Sequence, residues 1–190
     1  MDDPALQAEK AMLRRLLRGL RAELQAQCPD AALRFVKTFP QALMGLSPVG
    51  GYWPVGSEAD PRVLLAALAK AGAAIALPRM VTRRGPARFL SWPAGAALSP
   101  DAFGVPSPPE TAPEVAPRLL LVPLLGFDRR GGRLGQGGGH YDRILAALKP
   151  RGVLAVGVAY AGQEVEEVPS GPHDQRLDWI LTESGAVACA

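Results

Sequence analysis

Long apolar runs, cysteine and lysine are what this chain has little of. No stretch of about 18 consecutive apolar residues occurs in its 190 residues, which excludes a transmembrane helix. The start, Met1-Asp2-Asp3-Pro4, has neither the basic opening nor the apolar block of a secretory signal. The two cysteines, Cys28 and Cys189, are too few and too far apart for a disulfide framework or a thiolate metal site. A reducing cytoplasm is therefore the expected compartment. Of the 21 basic residues 17 are arginine, and the net charge is only +3, so the pI near 9.1 reads as a compositional bias. No nucleic-acid or membrane partner is expected from it. Hydrophobic residues at 48% and charged residues at 21% match an ordinary globular chain and exclude whole-chain disorder. A chain this long buries roughly 70% of its unfolded surface and needs no disulfide or metal to fold. One domain spanning residues 1–190 is expected.

Apolar positions at helical spacing, Leu6, Met12, Leu13, Leu16, Leu17, Leu20 and Leu24, predict an amphipathic helix over 5–27. Arg14, Arg15, Arg18 and Arg21 run between them. Asp30 can cap a second helix from Ala31, which Pro40 ends or kinks. A short strand is expected at 49–53. Asp60-Pro61 has the N-cap and first-turn signature of a helix that Gly72 closes. Strands are expected at 73–77 and 88–92. Between them the cluster Arg79, Arg83, Arg84 and Arg88 reads as a solvated hairpin; a phosphate-backbone patch would want interleaved aromatics, and there are none. Residues 93–117 carry seven prolines and read as one long connecting loop, a length that is often functional. The uninterrupted run 119–125 reads as a central parallel strand, with further strands at 153–160 and 179–182. The alternation predicts a single-domain α/β fold. Its sheet is mainly parallel, has helices on both faces, and places a glycine-rich phosphate-binding loop between a central strand and a helix.

That loop, residues 128–143, is the most informative segment. Glycines let backbone N–H groups approach phosphate oxygens, and a following helix N-terminus adds a favourable dipole. Arg133 can add a charge-assisted contact. The dinucleotide fingerprint fails, because His140 or Asp142 stands where its last glycine belongs. The P-loop fails because Gly138-Gly139 replaces Lys-Ser/Thr. Asp142, in the first helical turn, either satisfies the helix start or shares a magnesium ion with bound phosphates.

These residues carry a resemblance. Val122-Pro123, Phe127-Asp128, Gly132-Arg133-Leu134-Gly135, Gly137-Gly138-Gly139 and Tyr141-Asp142-Arg143 resemble the signature of the 5-formyltetrahydrofolate cyclo-ligase family. Further matches are Lys10 to Arg14, Tyr52 to Glu58, Leu77-Pro78, Gln163, Pro169, His173-Asp174, Leu177-Asp178 and Thr182. They extend the resemblance over nearly the whole chain. It departs at His140, where an aromatic is usual, at the variable Gln136, and at Ser107, which replaces a frequent Glu.

The resemblance implies conversion of 5-formyltetrahydrofolate to 5,10-methenyltetrahydrofolate, with ATP as co-substrate, Mg2+ as cofactor, and ADP and phosphate released. It implies that Lys10, Arg133 and Asp142 are catalytic. ATP would be held by Lys10, Arg14, Arg133, Leu134, Gly135, Gln136, Gly137, Gly138, Gly139, His140 and Tyr141. Folate would be held by Trp53, Glu58, Gln136 and His140, and magnesium by Asp142 and Asp178. His173 and Asp174 would position the phosphates or a water and receive no proton-transfer role, and a monomer is expected. Two rival readings are a paralogue that binds a nucleotide or phosphorylated metabolite without this reaction, and an RNA-associated protein, for which only the arginines speak.

Overall fold

The apolar run expected at 119–125 forms the middle of a seven-stranded sheet in a computed structural model that describes residues 3–82 and 86–189. The helices are α1 (Pro4–Gln27), α2 (Ala31–Thr38), α3 (Arg62–Lys70) and α4 (His140–Leu148). The strands are β1 (Val49–Gly50), β2 (Ile75–Met80), β3 (Ala87–Ser91), β4 (Ser99–Pro100), β5 (Pro106–Ser107), β6 (Leu119–Pro123), β7 (Gly126–Phe127), β8 (Arg133–Leu134), β9 (Leu154–Val158), β10 (Trp179–Thr182) and β11 (Gly185–Ala188). The large sheet runs β11-β10-β9-β6-β1-β2-β3. Its five inner strands are parallel, and β3 and β11 close the two edges antiparallel.

Side chains alternate across a strand, and here both faces are covered. Leu119 and Leu121 therefore enter one core with Phe35, Leu64, Leu65 and Leu68, beneath α2 and α3. Leu120 and Val122 enter the other, with Phe89, Ile180 and Leu145 of α4. That explains why β6 is apolar at every position. α1 reaches the first core only through Leu24 near its carboxyl end. Leu13, Leu17 and Leu20 pack on Leu125, Leu134 and Val168, beyond the carboxyl end of β6. The approach is close: a Cβ on Gly126 would lie 2.5 Å from a Leu17 methyl.

Several expectations shift. Met12 and Leu16 are 73% and 67% exposed, so part of the apolar stripe assigned to α1 faces solvent. α3 starts at Arg62, where the Asp60 carboxylate accepts the Arg62 N–H at 2.9 Å. Residues 93–117 are not one open loop, for β4 and β5 pair within them. Arg79 pins that ribbon: its Nη1 donates to the Ser107 and Ser99 hydroxyls at 2.9 and 3.2 Å and to Pro108 O at 3.0 Å. Arg88 pairs with Glu114. Neither is a spare cation, which leaves the hairpin reading in place. Arg83 and Arg84 lie outside the described residues. β11 escaped the sequence reading because Gly185 and alanines carry no strand signal. No helix among the described residues is long and apolar enough to cross a membrane.

Candidate active site

Strand order reverses between β1 and β6: from β1 the chain proceeds outward to β2, and from β6 it proceeds the other way to β9 and β10. Ligands of open α/β sheets bind outside the carboxyl ends of the strands at such a point. A cleft of about 620 Å³ opens there. Its walls are Glu58 beyond β1, Pro123 and Leu124 at the end of β6, the loop and helix start from Arg133 to Arg143, Lys10 and Arg14 of α1, and the segment from Gly171 to Gln175.

α1 reaches the cleft through one stripe, Lys10, Arg14, Leu17 and Arg21, spaced i, i+4, i+7 and i+11. Lys10 is only 5% exposed and donates to the Asp174 carboxylate. Arg14 Nε donates to Gly135 O at 3.0 Å, and Arg18 Nε to Gln136 Oε1 at 3.1 Å. The helix thus braces the loop by its backbone and leaves much of the Arg14 guanidinium at the cleft.

The glycine segment splits into two parts with different tasks. Its first part is a β7–β8 hairpin, not an open strand-to-helix turn. Asp128, 3% exposed, locks it: one carboxylate oxygen accepts the N–H groups of Arg130 and Gly132, and the other accepts that of Val168. Arg129 and Arg130 point outward to Glu164 and Glu167. The second part, Gly135 to Gly139, borders the cleft. Gly137 and Gly139 take φ of +104° and +63°, a region that favours glycine. Gly139 is the N-cap of α4 and has no side chain to satisfy the first-turn N–H groups. A helix start of that kind is suited to an anion.

Arg133 stands beneath this start with a side chain 3% exposed. Its Nη2 donates to Asp142, and its buried Nε has no hydrogen-bond partner. Asp142 also accepts the Gln175 N–H at 3.2 Å. Asp174 accepts the Gly171 N–H at 2.6 Å beside the Lys10 ammonium. Burial works against the Asp174 charge, but the Gly171 N–H, Lys10 and Arg133 outweigh it and hold the carboxyl below its usual value. Two aspartates and three cations therefore share one wall.

The opposite wall carries Glu58, which is 9% exposed. Its Oε2 accepts the Val55 N–H at 3.0 Å. Burial pushes its carboxyl up, and the Val55 N–H, Arg21 and Gln136 pull against that rise. Burial also raises the Tyr141 phenol, with the Glu58 charge adding to it and Arg133 opposing. His140 lies edge-on to Phe103, with ring centroids 5.1 Å apart, and its Nδ1 is 3.1 Å from Arg143. Burial and the Arg143 charge lower its pKa.

The structure brings Lys10, Arg14, Glu58 and the whole run Arg133 to Asp142 to one cleft. Two expected site residues are not there. Asp178 sits at the start of β10, accepting Lys149 Nζ at 3.0 Å and the Ala155 N–H at 2.7 Å. Lys149 lies seven residues beyond Asp142 at the carboxyl end of α4, about 10 Å further along the helix axis at 1.5 Å per residue. Asp178 therefore does not line the cleft with Asp142, against the expectation that the two hold one metal. Trp53 also lies outside the cleft lining: it packs edge-on to Trp92 at 6.2 Å and carries the Arg62 guanidinium 4.8 Å above its ring. Sequence reasoning gave Asp174 only the positioning of phosphates or a water, not a place beside magnesium, and missed Arg18 and Arg21. For Arg21 the signal was its seven-residue spacing from Arg14.

The profile described as the 5-formyltetrahydrofolate cyclo-ligase family matches residues 6–183. The chain is 30% identical over 178 residues to the 5-formyltetrahydrofolate cyclo-ligase of Escherichia coli K12, covering 91% of this chain and 97% of that one. It is 36% identical over 97 residues to the Haemophilus influenzae enzyme of the same name, covering 49% of this chain and 52% of that one. Among solved structures, 5,10-methenyltetrahydrofolate synthetase of Aquifex aeolicus superposes with a TM-score of 0.81 at 26% identity, over 94% of this chain and 92% of that one.

Proposed function

The chain belongs to the 5-formyltetrahydrofolate cyclo-ligase family, and we propose on that footing that the cleft holds ATP and 5-formyltetrahydrofolate together and closes the formyl group onto the neighbouring folate nitrogen. The product is 5,10-methenyltetrahydrofolate, with ADP and phosphate released.

The chemistry explains the residues. The formyl group is an amide, and its oxygen is a poor leaving group. Transfer of the γ-phosphoryl group to that oxygen gives an iminium phosphate. The folate nitrogen attacks its carbon, and the oxygen departs with the phosphate. Such transfer depends on positioning and charge neutralisation more than on a protein nucleophile. Lys10, Arg14 and Arg133 supply cations, and the uncapped start of α4 supplies N–H groups. The Arg133 guanidinium, whose buried Nε has no partner among the described residues, adds charge beside the phosphate position. Glu58, on the facing wall, is placed to accept the N–H donors of the pterin. Gln136 and His140 lie between the two walls and would touch either substrate.

Among the described residues no group of three or more His, Cys, Asp or Glu could cage a metal. Magnesium, however, is typically held by one or two carboxylates together with substrate phosphates. Asp142 and Asp174, both lining the cleft, fit that requirement. Bound with ATP, the ion would neutralise charge on the transferring group. Action as a monomer is part of this reading, and an ATP-dependent folate reaction suits the cytoplasm.

The observation that carries this reading is the convergence of Lys10, Arg14, Arg133 and the α4 start on a cleft whose other wall presents Glu58. The test is to mix the protein with magnesium-ATP and 5-formyltetrahydrofolate and follow the absorbance of the methenyl product. ATP-dependent appearance of product is expected. ATP binding without product would overturn the reading in favour of a nucleotide-binding paralogue.

A further inference from the structure

One buried cation near the cleft has no part in the chemistry above. Arg21, two turns beyond Arg14 on the same stripe of α1, is 4% exposed. Its Nε donates to the Ser57 hydroxyl at 3.1 Å, and its Nη1 donates to Leu124 O at 3.2 Å. That same Nη1 lies 3.8 Å from Glu58 Oε1. Ser57 and Glu58 follow β1, and Leu124 follows β6. The guanidinium therefore ties together the two strand ends between which the cleft opens.

The state of Glu58 gives this position its meaning. One carboxylate oxygen is committed to the Val55 N–H. The Arg21 cation stays beyond hydrogen-bond distance of the other, and among the described residues the Gln136 amide is the one further neighbour that acts on the group, so the carboxylate keeps lone pairs for a ligand while remaining charge-compensated. A buried carboxylate without a nearby cation favours its neutral form, which would be a poor acceptor for N–H donors. A direct salt bridge would occupy the oxygen that the ligand needs. The geometry lies between those extremes.

We propose that Arg21 is a positioning residue for folate recognition, holding the Glu58 carboxylate ionised and turned to the cleft so that it can receive the pterin N–H groups. This rests on the folate reading of the cleft. The other groups around the pair are Arg18 on α1, Tyr52 and Asp60 after β1, Tyr160 after β9 and Tyr141 on α4. None of these except Arg18 brings positive charge, and Arg18 is engaged with Gln136. Arg21 is thus the cation that favours the charged form of Glu58 against the burial that disfavours it.

The experiment compares wild type, Arg21→Lys, Arg21→Met, Glu58→Gln and the Arg21→Met/Glu58→Gln double variant by steady-state kinetics across pH. Arg21→Met should raise KM for 5-formyltetrahydrofolate about tenfold at neutral pH and change KM for ATP less than about threefold. It should also move the acid limb of kcat/KM for folate up by about one pH unit, the equivalent of a tenfold change in protonation. Arg21→Lys should keep the limb near its wild-type position, Glu58→Gln should abolish it, and the double variant should lose little more folate affinity than Glu58→Gln alone. A purely structural Arg21 would instead raise both KM values together, leave the limb unmoved and give additive losses; that result overturns the proposal. Should Arg21→Met not fold, the limb of Arg21→Lys decides: in place with a normal ATP KM supports the role, and absent or accompanied by an equal rise in ATP KM refutes it. If the wild type makes no methenyl product, the folate reading itself has failed. If it does and the variants behave structurally, only this inference has failed.

Discussion

The two ends of the parallel sheet hold the same kinds of side chain in different states. At the amino end, Lys149 and the Ala155 N–H together consume the Asp178 carboxylate. At the carboxyl end, among the described residues, Lys10, Arg14 and Arg133 share one wall with two aspartates, and the uncapped start of α4 leaves first-turn N–H groups beside an open cleft. An ion pair whose donors and acceptors are all used is part of the fold. A charged set with donors left over is available to a ligand.

Removing a donor from the open end should have the largest effect. Arg133→Ala should lower kcat/KM for ATP by about a hundredfold or more, as loss of a donor aimed at developing charge does elsewhere, while circular dichroism stays native. An unchanged rate would mean that the phosphates sit elsewhere. Lys10→Met comes next, with about a tenfold or greater loss in kcat/KM for ATP and little change in KM for folate. Parallel losses for both substrates would instead make Lys10 a brace for α1. Gly137→Ala, at φ +104°, forces a Cβ into a conformation it resists. Strain of about 1 kcal/mol in the cradle should raise the ATP KM about fivefold. A wild-type KM would show that the loop relaxes freely.

Asp174 sharpens the comparison through pH. Its carboxyl is held below the usual value by Gly171, Lys10 and Arg133 against the cost of burial. A depressed folded pKa contributes stability that is present above the unfolded value of about 3.9 and is lost as pH falls through the folded one. Asp174→Asn should therefore lower the melting temperature at neutral pH, where the contribution is fully present, and flatten the profile in that acid window, so that variant and wild type converge at low pH. A profile of unchanged slope would remove Asp174 from the ion pair. The smallest effect on turnover should come from the closed end: Asp178→Ala should keep kcat within about twofold while costing about 1–3 kcal/mol of stability, because the Ala155 N–H and Lys149 lose their acceptor. A collapse of activity in a well-folded Asp178→Ala protein would return that residue to the site.

This polarity is what the sequence conceals. Asp174 and Asp178 are four residues apart and equally polar, yet the segment between them is extended and runs from one end of the sheet toward the other, so only one reaches the cleft. Trp53 likewise follows β1 toward the cleft but turns its ring onto Trp92. Local signals were legible where local physics decides. The Leu119–Pro123 run could only be a strand buried on both faces, and the i, i+4 spacing of Lys10 and Arg14 placed both on one helix face. The glycines at 137 and 139 marked the segment that borders the cleft. Asp128 looked like part of it, but the structure spends its carboxylate on the hairpin turn and on Val168. Arg21 was invisible because its partners, Ser57 and Leu124, lie on two other chain segments.

The most direct test of the account is to label the formyl oxygen of 5-formyltetrahydrofolate with heavy oxygen and follow it through a single turnover with magnesium-ATP. Phosphorylation at that atom predicts that the label leaves in inorganic phosphate. Label recovered in water, with unlabelled phosphate, would contradict it.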